Sequence, residues 1–337
     1  MVTRSKKIFC TLSDISGCAR IGFMKNAVLL ILFLASVITV QAQKKRRFVA
    51  VTFDDLPVAS ATNDIAAKLV TTQKILQKIS NAKIPAIGFV NEIQLFDDEQ
   101  RNEAAINLLQ MWLDAGLELG NHTYSHPSLH NISLAEYEAD VLRGETVTRE
   151  LLQTKNFTLR YFRHPFLETG FDKTAKSELA AFLRQHNYII APVTIEVADW
   201  LFADAYDKAN AAGDTALAGK IGAAYVEFFA KKIRYWERQS TALFGREIRQ
   251  VLLVHANALN AEYFDRVVQI LRQKNYRFIT LNAALRDRAY RAPDNYIGEG
   301  VSWLHRWAIT RGGEKLVLAG EPEPPKFVSD AAGEEDK

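Results

Sequence analysis

Two histidines, His122 and His126, lie four residues apart in the stretch HTYSH, a spacing that could hold a metal ion. In metalloproteases of the HExxH type, two histidines at this spacing share one helical turn and bind zinc. That arrangement does not fit here, because Thr123 replaces the glutamate that those enzymes use as a base and Pro127 opposes a helix through the pair. We therefore predict a one-turn loop after a strand. Two histidines leave a catalytic zinc one protein ligand short.

Two adjacent carboxylates, Asp54 and Asp55, offer the missing ligand. Adjacent side chains at a strand end point in different directions, so one aspartate can bind the metal while its neighbour acts as a general base toward a water. Taken alone, an HxxxH spacing can arise by chance, and an Asp pair is often a solvated turn or a helix cap. Their joint placement at strand ends favours the metal site.

A fold with parallel strands would bring these residues together. Apolar, β-rich runs alternate with helical patterns, among them residues 64–81 and a helix that begins at the capping box Ser133–Glu136. This alternation predicts an α/β fold: a distorted (β/α) barrel of about seven parallel strands, with an open doubly wound sheet as the alternative. The predicted strands are residues 47–52, 86–90, 117–120, 159–163, 188–193, 251–255 and 276–280.

Polar residues follow or close these strands, and the carboxyl ends of parallel strands converge on one mouth. We therefore expect residues far apart in sequence to become neighbours there. They are Asp54, Asp55, His122, Arg163 and His255.

Five motifs in order give the chain a family resemblance over roughly residues 48–285. They are TFDD at 52–55, HTYSH at 122–126, RHPF at 163–166, DW at 199–200 and VLLVH at 251–255. They are similar to TFDD, H(S/T)xxH, RxPY, DxxDW and LxLxH of the polysaccharide deacetylases of the NodB-homology type, carbohydrate esterase family 4. That family has an incomplete barrel of about seven strands, which agrees with the strand pattern.

The resemblance implies a divalent metal ion, zinc before others, held by Asp55, His122 and His126. It implies that Asp54 is the base that deprotonates the metal-bound water and that Arg163 orients Asp54. Two further histidines, at positions 130 and 164, are expected to be structural or to line the substrate, because the ligand set is already complete.

The resemblance also implies which residue is the general acid and which residues bind the acetyl group. His255 would protonate the departing amine, with Asp199 tuning it. Trp200 and Leu253 would line the pocket for the acetyl methyl, and the backbone N–H of Phe166 would help to hold the oxyanion. Amide hydrolysis requires a strong nucleophile, stabilisation of the oxyanion and a proton for the amine, and these residues would supply all three.

The chain departs from the family pattern at four positions around the site. Leu56 and Leu167 stand where the family usually has glycine, Phe166 replaces tyrosine, and Glu196 replaces the first aspartate of DxxDW. None of these changes removes a catalytic side chain. Together they are expected to alter the groove around the sugar.

The predicted function is an exported, metal-dependent hydrolase that removes acetyl groups from N-acetylated sugars of a chitin-like polysaccharide or of peptidoglycan. Alternatives are an O-acetyl esterase acting on xylan and a small-molecule amidase or deformylase. A further alternative is a non-catalytic glycan-binding protein that uses Trp200, Trp303 and Trp307 as a stacking shelf. The retained Asp54 and His255 oppose this last alternative.

The N-terminal region is typical of an exported protein. From Met24 and Lys25 the chain runs apolar from Ala27 to Val40, which predicts a signal peptide at residues 24–42. Residues 1–23 would be an N-terminal extension, upstream of the true start or part of a long basic region. An uncleaved anchor is less favoured, since a spanning helix needs ~20 apolar residues. We expect a periplasmic or extracellular protein without a membrane span after cleavage.

The composition excludes other classes. The chain has 337 residues, is 48% apolar and has a net charge of +3, which predicts a globular domain without a nucleic-acid footprint. Both cysteines, Cys10 and Cys18, precede the predicted cleavage site, so a metal must be held by histidine and carboxylate.

We assign the deacetylase domain to residues 43–290, with a helical insertion at 201–245 that acts as structural cover or as a mobile lid. Residues 291–337 would be a C-terminal extension, disordered at its end from Gly320. The partner is a polysaccharide or oligosaccharide substrate, and no obligate protein partner is expected.

Overall fold

A parallel sheet that curls into an incomplete barrel, surrounded by helices, organises the chain. The computed structural model describes residues 46–60 and 64–333, and these residues form one compact unit. The predicted signal peptide at 24–42, its cleavage site and the extension at 1–23 lie outside the described residues. Within the described ranges, no helix has the length and apolar character needed to cross a membrane.

The strands of the described residues are short, except for the first. They are β1 (Arg47–Leu56), β2 (Ile87–Val90), β3 (Phe96–Asp97), β4 (Gln100–Arg101), β5 (Glu118–Asn121), β6 (Tyr161–Phe162), β7 (Ile189–Ile190), β8 (Gln250–His255) and β9 (Tyr276–Phe278). Seven of them form one sheet in the order β7-β6-β5-β2-β1-β8, with β9 also paired to β1. All pairs in that sheet are parallel.

The predicted barrel of about seven strands is confirmed, with one strand of the sheet in each predicted interval. The prediction ended the first strand at residue 52, whereas β1 continues to Leu56 and includes the Asp pair. The antiparallel pair β3 and β4 was not predicted, because strands of two residues in a polar segment leave no periodic signal.

Most of the described α-helices begin after a residue whose side chain caps the first turn. The described helices are α1 (Ile65–Ala82), α2 (Glu103–Asp114), α3 (Leu134–Arg143), α4 (Thr146–Thr154), α5 (Lys173–Gln185), α6 (Asp199–Ala211), α7 (Thr215–Phe244), α8 (Ala258–Gln273), α9 (Leu281–Leu285), α10 (Trp303–Gly312) and α11 (Lys326–Ala332). The predicted capping box of α3 is present, with Ser133 and Glu136 satisfying each other's backbone N–H. Its apolar face buries Tyr137 and Val141.

Side chains along β1 alternate between two cores. Val49, Val51 and Phe53 belong to the large core between the sheet and the helices, whereas Ala50 belongs to a smaller cluster that fills the barrel. Because successive side chains point to opposite faces, Thr52 and Asp54 follow Ala50 toward the barrel interior. The strand periodicity therefore directs Asp54 into the mouth of the barrel.

The interval predicted as a helical insertion contains α6 and α7, and the C-terminal region contains α10 and α11. We expected disorder in the tail from Gly320, whereas the structure has the helix α11 over Lys326–Ala332. This helix forms because Val328 and Ala332 are buried, and Lys208 of α6 donates to the Ala332 carbonyl. Burial of apolar side chains outweighs the polar composition of the tail.

Candidate active site

A bulge at the end of β1 brings both aspartates of the TFDD motif to the mouth of the barrel. The pairing of β1 with β2 is regular at Phe53 and resumes at Leu56 with a shifted register. Asp55 takes a left-handed backbone conformation, with φ of 63°. Since neighbouring side chains of a regular strand would face opposite sides, the bulge lets Asp55 join Asp54 at one site.

Asp55, His122 and His126 form a group that could hold a metal ion, with one ligand atom from each within 4.8 Å of the others. Asp55 Oδ1 lies 3.5 Å from His122 Nε2 and 3.7 Å from His126 Nε2. The structure thus brings together the three predicted ligands.

Hydrogen bonds orient the ring of His122. Its Nδ1 lies 2.8 Å from the carbonyl oxygen of Arg163, and because a carbonyl only accepts, Nδ1 carries the proton. Nε2 is then left with a lone pair directed toward Asp55. Burial lowers the pKa of His122 well below its usual value, and burial also lowers the pKa of His126. Both rings are therefore neutral, which is the form that binds a metal.

The loop after β5 places the second histidine. Asn121 closes the strand, and its Oδ1 accepts from the Thr123 N–H at 2.7 Å. Thr123 and His126 both have positive φ, of 69° and 55°, and the His126 N–H donates to Thr123 Oγ1 at 3.1 Å. This is a tight turn rather than a helix, as the proline at 127 predicts.

Asp54 is buried at 2% exposure and paired with Arg163, which is 0% exposed. Arg163 Nη1 donates to Asp54 Oδ2 at 3.1 Å, and Arg163 Nη2 donates to Thr52 Oγ1 at 2.9 Å. The guanidinium therefore fixes one oxygen of the Asp54 carboxylate. Burial raises the pKa of Asp54 to about 6, although Arg163 and His255 lower it. At neutral pH the carboxylate is mainly ionised and able to accept a proton.

His255 faces the same mouth from the neighbouring strand, since Asp54 and His255 are paired across β1 and β8. Its Nδ1 donates to Asp199 Oδ1 at 2.8 Å, and its Nε2 lies 3.9 Å from Asp55 Oδ2. Burial lowers the pKa of His255, but the carboxylates of Asp199, Asp55 and Asp54 outweigh burial and raise it to about 10. His255 therefore carries a proton at neutral pH.

Sequence reasoning did not identify Asn260, which fixes Asp199. Asn260 Nδ2 donates to Asp199 Oδ2 at 2.7 Å and to the His255 carbonyl at 2.9 Å. Asn260 lies in the first turn of α8, beyond the last motif, and no pattern in the sequence indicated it. It joins the histidine and its carboxylate into one rigid unit.

The three residues predicted to bind the substrate lie beside these groups. The Phe166 ring packs edge-on against His126, with centroids 4.5 Å apart, and Trp200 follows Asp199 at the start of α6. Leu253 precedes His255 by two residues on β8 and therefore shares its face. The side chains of Phe166 and Trp200 are 55% and 51% exposed, whereas Leu253 is buried. The two aromatic rings are thus available at the surface of the mouth.

The predicted stacking shelf does not form, because Trp303 and Trp307 are buried at 6% and 1% exposure. Burial of both rings in the core leaves only Trp200 of that set exposed. Position 164 is also buried, with both ring nitrogens of His164 lacking a hydrogen bond in the described part of the chain.

A second group with three ligating atoms within 4.8 Å of one another comprises His130, Glu168 and Glu299. Glu168 already accepts from Ser128 Oγ and, at 2.8 Å, from the Leu129 N–H. Glu299 is exposed. Glu168 thus has a structural role in the loop after β5.

The residues of the first group fit a divalent metal ion. Asp55 Oδ1 is buried and makes no hydrogen bond within the described residues, so its charge lacks a donor. An unpaired buried carboxylate oxygen is costly, and a cation beside two neutral imidazoles would satisfy it. One carboxylate and two histidines are a donor set that zinc and similar ions accept.

Comparisons with known proteins agree with this geometry. The model of the family described as polysaccharide deacetylase matches residues 41–184, a range that contains Asp54, Asp55, His122, His126 and Arg163. It ends before Asp199 and His255. A peptidoglycan-N-acetylglucosamine deacetylase of Bacillus cereus is 26% identical over 152 residues, which are 45% of this chain and 46% of that protein. The match thus spans about half the length of this relative.

Solved structures that align with this chain include a family 4 carbohydrate esterase pseudoenzyme from Bacillus anthracis and a peptidoglycan deacetylase from Bacillus subtilis. The first is 16% identical with a TM-score of 0.48, covering 72% of this chain and 66% of that chain. The second is 19% identical with a TM-score of 0.45, covering 72% of this chain and 91% of that chain.

Proposed function

We propose that this chain, whose residues 41–184 match the polysaccharide deacetylase family, hydrolyses the acetamide group of N-acetylated sugars in a polysaccharide, with the help of a divalent metal ion. The observation that carries the proposal is the convergence of three groups on one mouth. They are the metal-binding set of Asp55 with two histidines, the ionised Asp54 and the protonated His255. A base and an acid beside one ligand set are the groups that hydrolysis of an amide requires, since Asp54 lies 3.8 Å from His122 Nε2 and His255 lies 3.9 Å from Asp55 Oδ2.

Asp55, His122 and His126 would hold the metal ion. When bound, such an ion acts as a Lewis acid that lowers the pKa of a water and polarises a carbonyl. Asp54 accepts the proton of the attacking water, and Arg163 keeps its carboxylate aimed at the mouth through the 3.1 Å ion pair. The same guanidinium also donates to Thr52 Oγ1, which fixes the position of Arg163 itself.

His255 then donates its Nε2 proton to the departing sugar amine. Its Nδ1–H bond to Asp199 fixes the ring orientation and stabilises the imidazolium before transfer. An amine is a poor leaving group unless it is protonated, so this proton is essential for an amide and dispensable for an ester with a stable leaving anion. The N–H of Phe166 helps to hold the oxyanion, and Trp200 and Leu253 line the acetyl pocket.

The substrate class follows from the relative and from the mouth. The curated relative acts on the N-acetylglucosamine of peptidoglycan, as its name states. Exposed aromatic rings at Phe166 and Trp200 suit stacking on pyranose faces. We propose peptidoglycan or a chitin-like glycan as substrate, zinc as the metal, and export on the basis of the apolar run from Ala27 to Val40.

Release of acetate tests the reaction directly. We expect the purified protein loaded with zinc to release acetate from peptidoglycan or chito-oligosaccharides, and the chelator-treated protein to release none. Acetylxylan, assayed in parallel, separates the O-esterase alternative. A zinc-loaded protein that releases acetate from none of the three glycans would contradict the proposal and favour the small-molecule amidase.

Replacing His255 by glutamine tests the acid. We expect kcat on the acetamide substrate to fall roughly 100- to 10,000-fold, because the amine would leave without a proton. On 4-nitrophenyl acetate the loss should be below about tenfold, since nitrophenolate is a stable anion. Steady-state kinetics on both substrates check this. Equal losses on the two would show that His255 does not act as the acid.

A further inference from the structure

A segment near the C-terminus, residues 300–306, which we call the C-terminal clamp, packs against the turn that carries Phe166. The closest approach is at Gly300, where a Cβ would lie 1.5 Å from the carbonyl oxygen of Phe166. No side chain fits there without displacing the Phe166 backbone, so Gly300 is required by contact. The neighbouring Glu299 has a ligating oxygen within 4.8 Å of those of His130 and Glu168, which places the clamp at the rim of the mouth.

Arg306 extends this contact along the turn. Its side chain is fully buried and donates from Nη2 to the carbonyl of Leu167 and from Nη1 to Thr169 Oγ1 at 2.7 Å. Nε donates to the Val301 carbonyl at 3.0 Å, and Asp294 lies 3.7 Å from Nη1. One planar guanidinium thus joins the clamp to the turn at two points, a geometry that lysine cannot reproduce.

The turn needs external support. Phe166 and Leu167 both adopt left-handed conformations, with φ of 51° and 58°. Such conformations are unfavourable for residues with a Cβ and persist where surrounding contacts over-determine them. The Phe166 side chain is 55% exposed, so its own burial does not hold it. The Leu167 side chain is buried and two hydrogen bonds close the turn, and the contacts from Gly300 and Arg306 add direct support to the backbone at Phe166 and Leu167.

The clamp is itself fixed to the barrel. The Trp303 N–H donates to the Val193 carbonyl at 2.7 Å, and Ser302 Oγ donates to the Thr194 carbonyl at 3.1 Å. Both acceptors follow β7, the edge strand of the sheet. The stacked ring of Trp303 lies 4.5 Å from the Arg306 guanidinium. The turn is therefore tied to the sheet through the clamp.

We propose that Arg306 is a positioning residue of the active site, which together with Gly300 holds Phe166 and Leu167 in the backbone conformation used in hydrolysis. In this conformation the Phe166 ring contacts His126, with centroids 4.5 Å apart, and the Phe166 N–H has a fixed direction. The inference rests on the proposed function, in which the Phe166 N–H helps to hold the oxyanion. It also makes the C-terminal region part of the catalytic unit.

The variant Arg306→Ala should lower kcat roughly 10- to 100-fold, since displacement of an oxyanion donor by about 1 Å has effects of this size. KM should change less than about threefold, and metal stoichiometry should stay the same, because Arg306 touches neither the ligands nor the sugar. Arg311→Ala is the control for loss of an arginine from this helix. Arg311 lies in the same helix but donates to the Leu243 carbonyl, away from the turn. The control should keep wild-type kcat.

Gly300→Ala provides an independent variant, because it acts on the Phe166 carbonyl without removing a buried charge. We expect the same fall in kcat with unchanged metal content. Wild-type kcat in both folded variants would overturn the proposal. A loss of thermal stability in Arg306→Ala with normal turnover well below its Tm would reduce Arg306 to a structural role.

Hydrogen exchange followed by mass spectrometry separates this inference from the proposed reaction. The peptide that contains Phe166 to Thr169 should exchange at least ~10-fold faster in Arg306→Ala than in the wild type, with peptides of the strands unchanged. If exchange is faster in Arg306→Ala but the zinc-loaded wild type releases no acetate from any glycan, the proposed reaction is contradicted and the role of Arg306 in holding the turn is supported. Unchanged exchange of this peptide in Arg306→Ala would show that Arg306 does not hold the turn.

Discussion

Asp54→Asn lowers kcat roughly 100- to 10,000-fold and leaves the protein with its full equivalent of metal; this is the result we expect for the general base. The amide keeps an oxygen that accepts from Arg163, whose side chain lies 3.1 Å from the carboxylate in the wild type, but it can no longer take a proton. Steady-state acetate release measures the kcat of the purified variant, and elemental analysis measures its metal content.

Asp287→Asn is the matched control for Asp54. Asp287 is also a buried carboxylate held by an arginine, Arg246, but it accepts from the Arg249 N–H at the amino end of β8. This end of a parallel barrel is opposite the mouth. The control should lose stability and keep kcat. A kcat of Asp54→Asn within about threefold of the wild type would show that Asp54 is not the base. Loss of the metal from this variant would show that Asp54 is a ligand.

The second large effect concerns the metal. His126→Ala should weaken metal binding by about 100-fold or more, and acetate release should fall with it. Loss of a residue that only hydrogen-bonds to a ligand typically weakens metal binding by about 10- to 100-fold, and loss of a ligand itself should weaken it further. The reason is that the site would keep only Asp55 and His122, one ligand fewer than catalytic zinc sites usually have. Competition with a chromophoric chelator measures the affinity.

His130→Ala serves as the histidine control. His130 lies four residues after His126 and contacts Glu168 at 3.8 Å, outside the first ligand group. We expect this variant to bind metal with wild-type affinity. Full metal retention by His126→Ala would overturn the ligand assignment. Loss of metal in His130→Ala would assign the ion to the second group.

Local patterns were sufficient to locate the seven strands of the parallel sheet and the polar residues that follow or close them. Hydrophobic periodicity and capping residues depend on neighbours within a few positions, so the capping box at Ser133 and the strand before the HTYSH turn could be read directly. Parallel pairing then follows from alternation of strand and helix. The convergence of Asp54, Asp55, His122, Arg163 and His255 was expected on these grounds.

Several features of the site had no local signal. The β1 bulge depends on how β2 pairs with β1, and without it Asp55 would face away from Asp54. Asn260 supports Asp199 across 61 residues, and Arg306 supports Leu167 across 139. The disorder expected in the tail was an error of the same kind, because burial of Val328 against other helices is a long-range contact.

The sequence by itself determined which chemical groups are present and in which strands they lie, because side-chain identity and strand period are local properties. Only the tertiary structure decided how they act. Burial raises the pKa of Asp54 to about 6, whereas burial lowers the pKa of His255 and the nearby carboxylates of Asp199, Asp55 and Asp54 raise it to about 10. These carboxylates come from elements far apart in the sequence. Desolvation and Coulomb interactions depend on distances in space, which no spacing along the chain encodes.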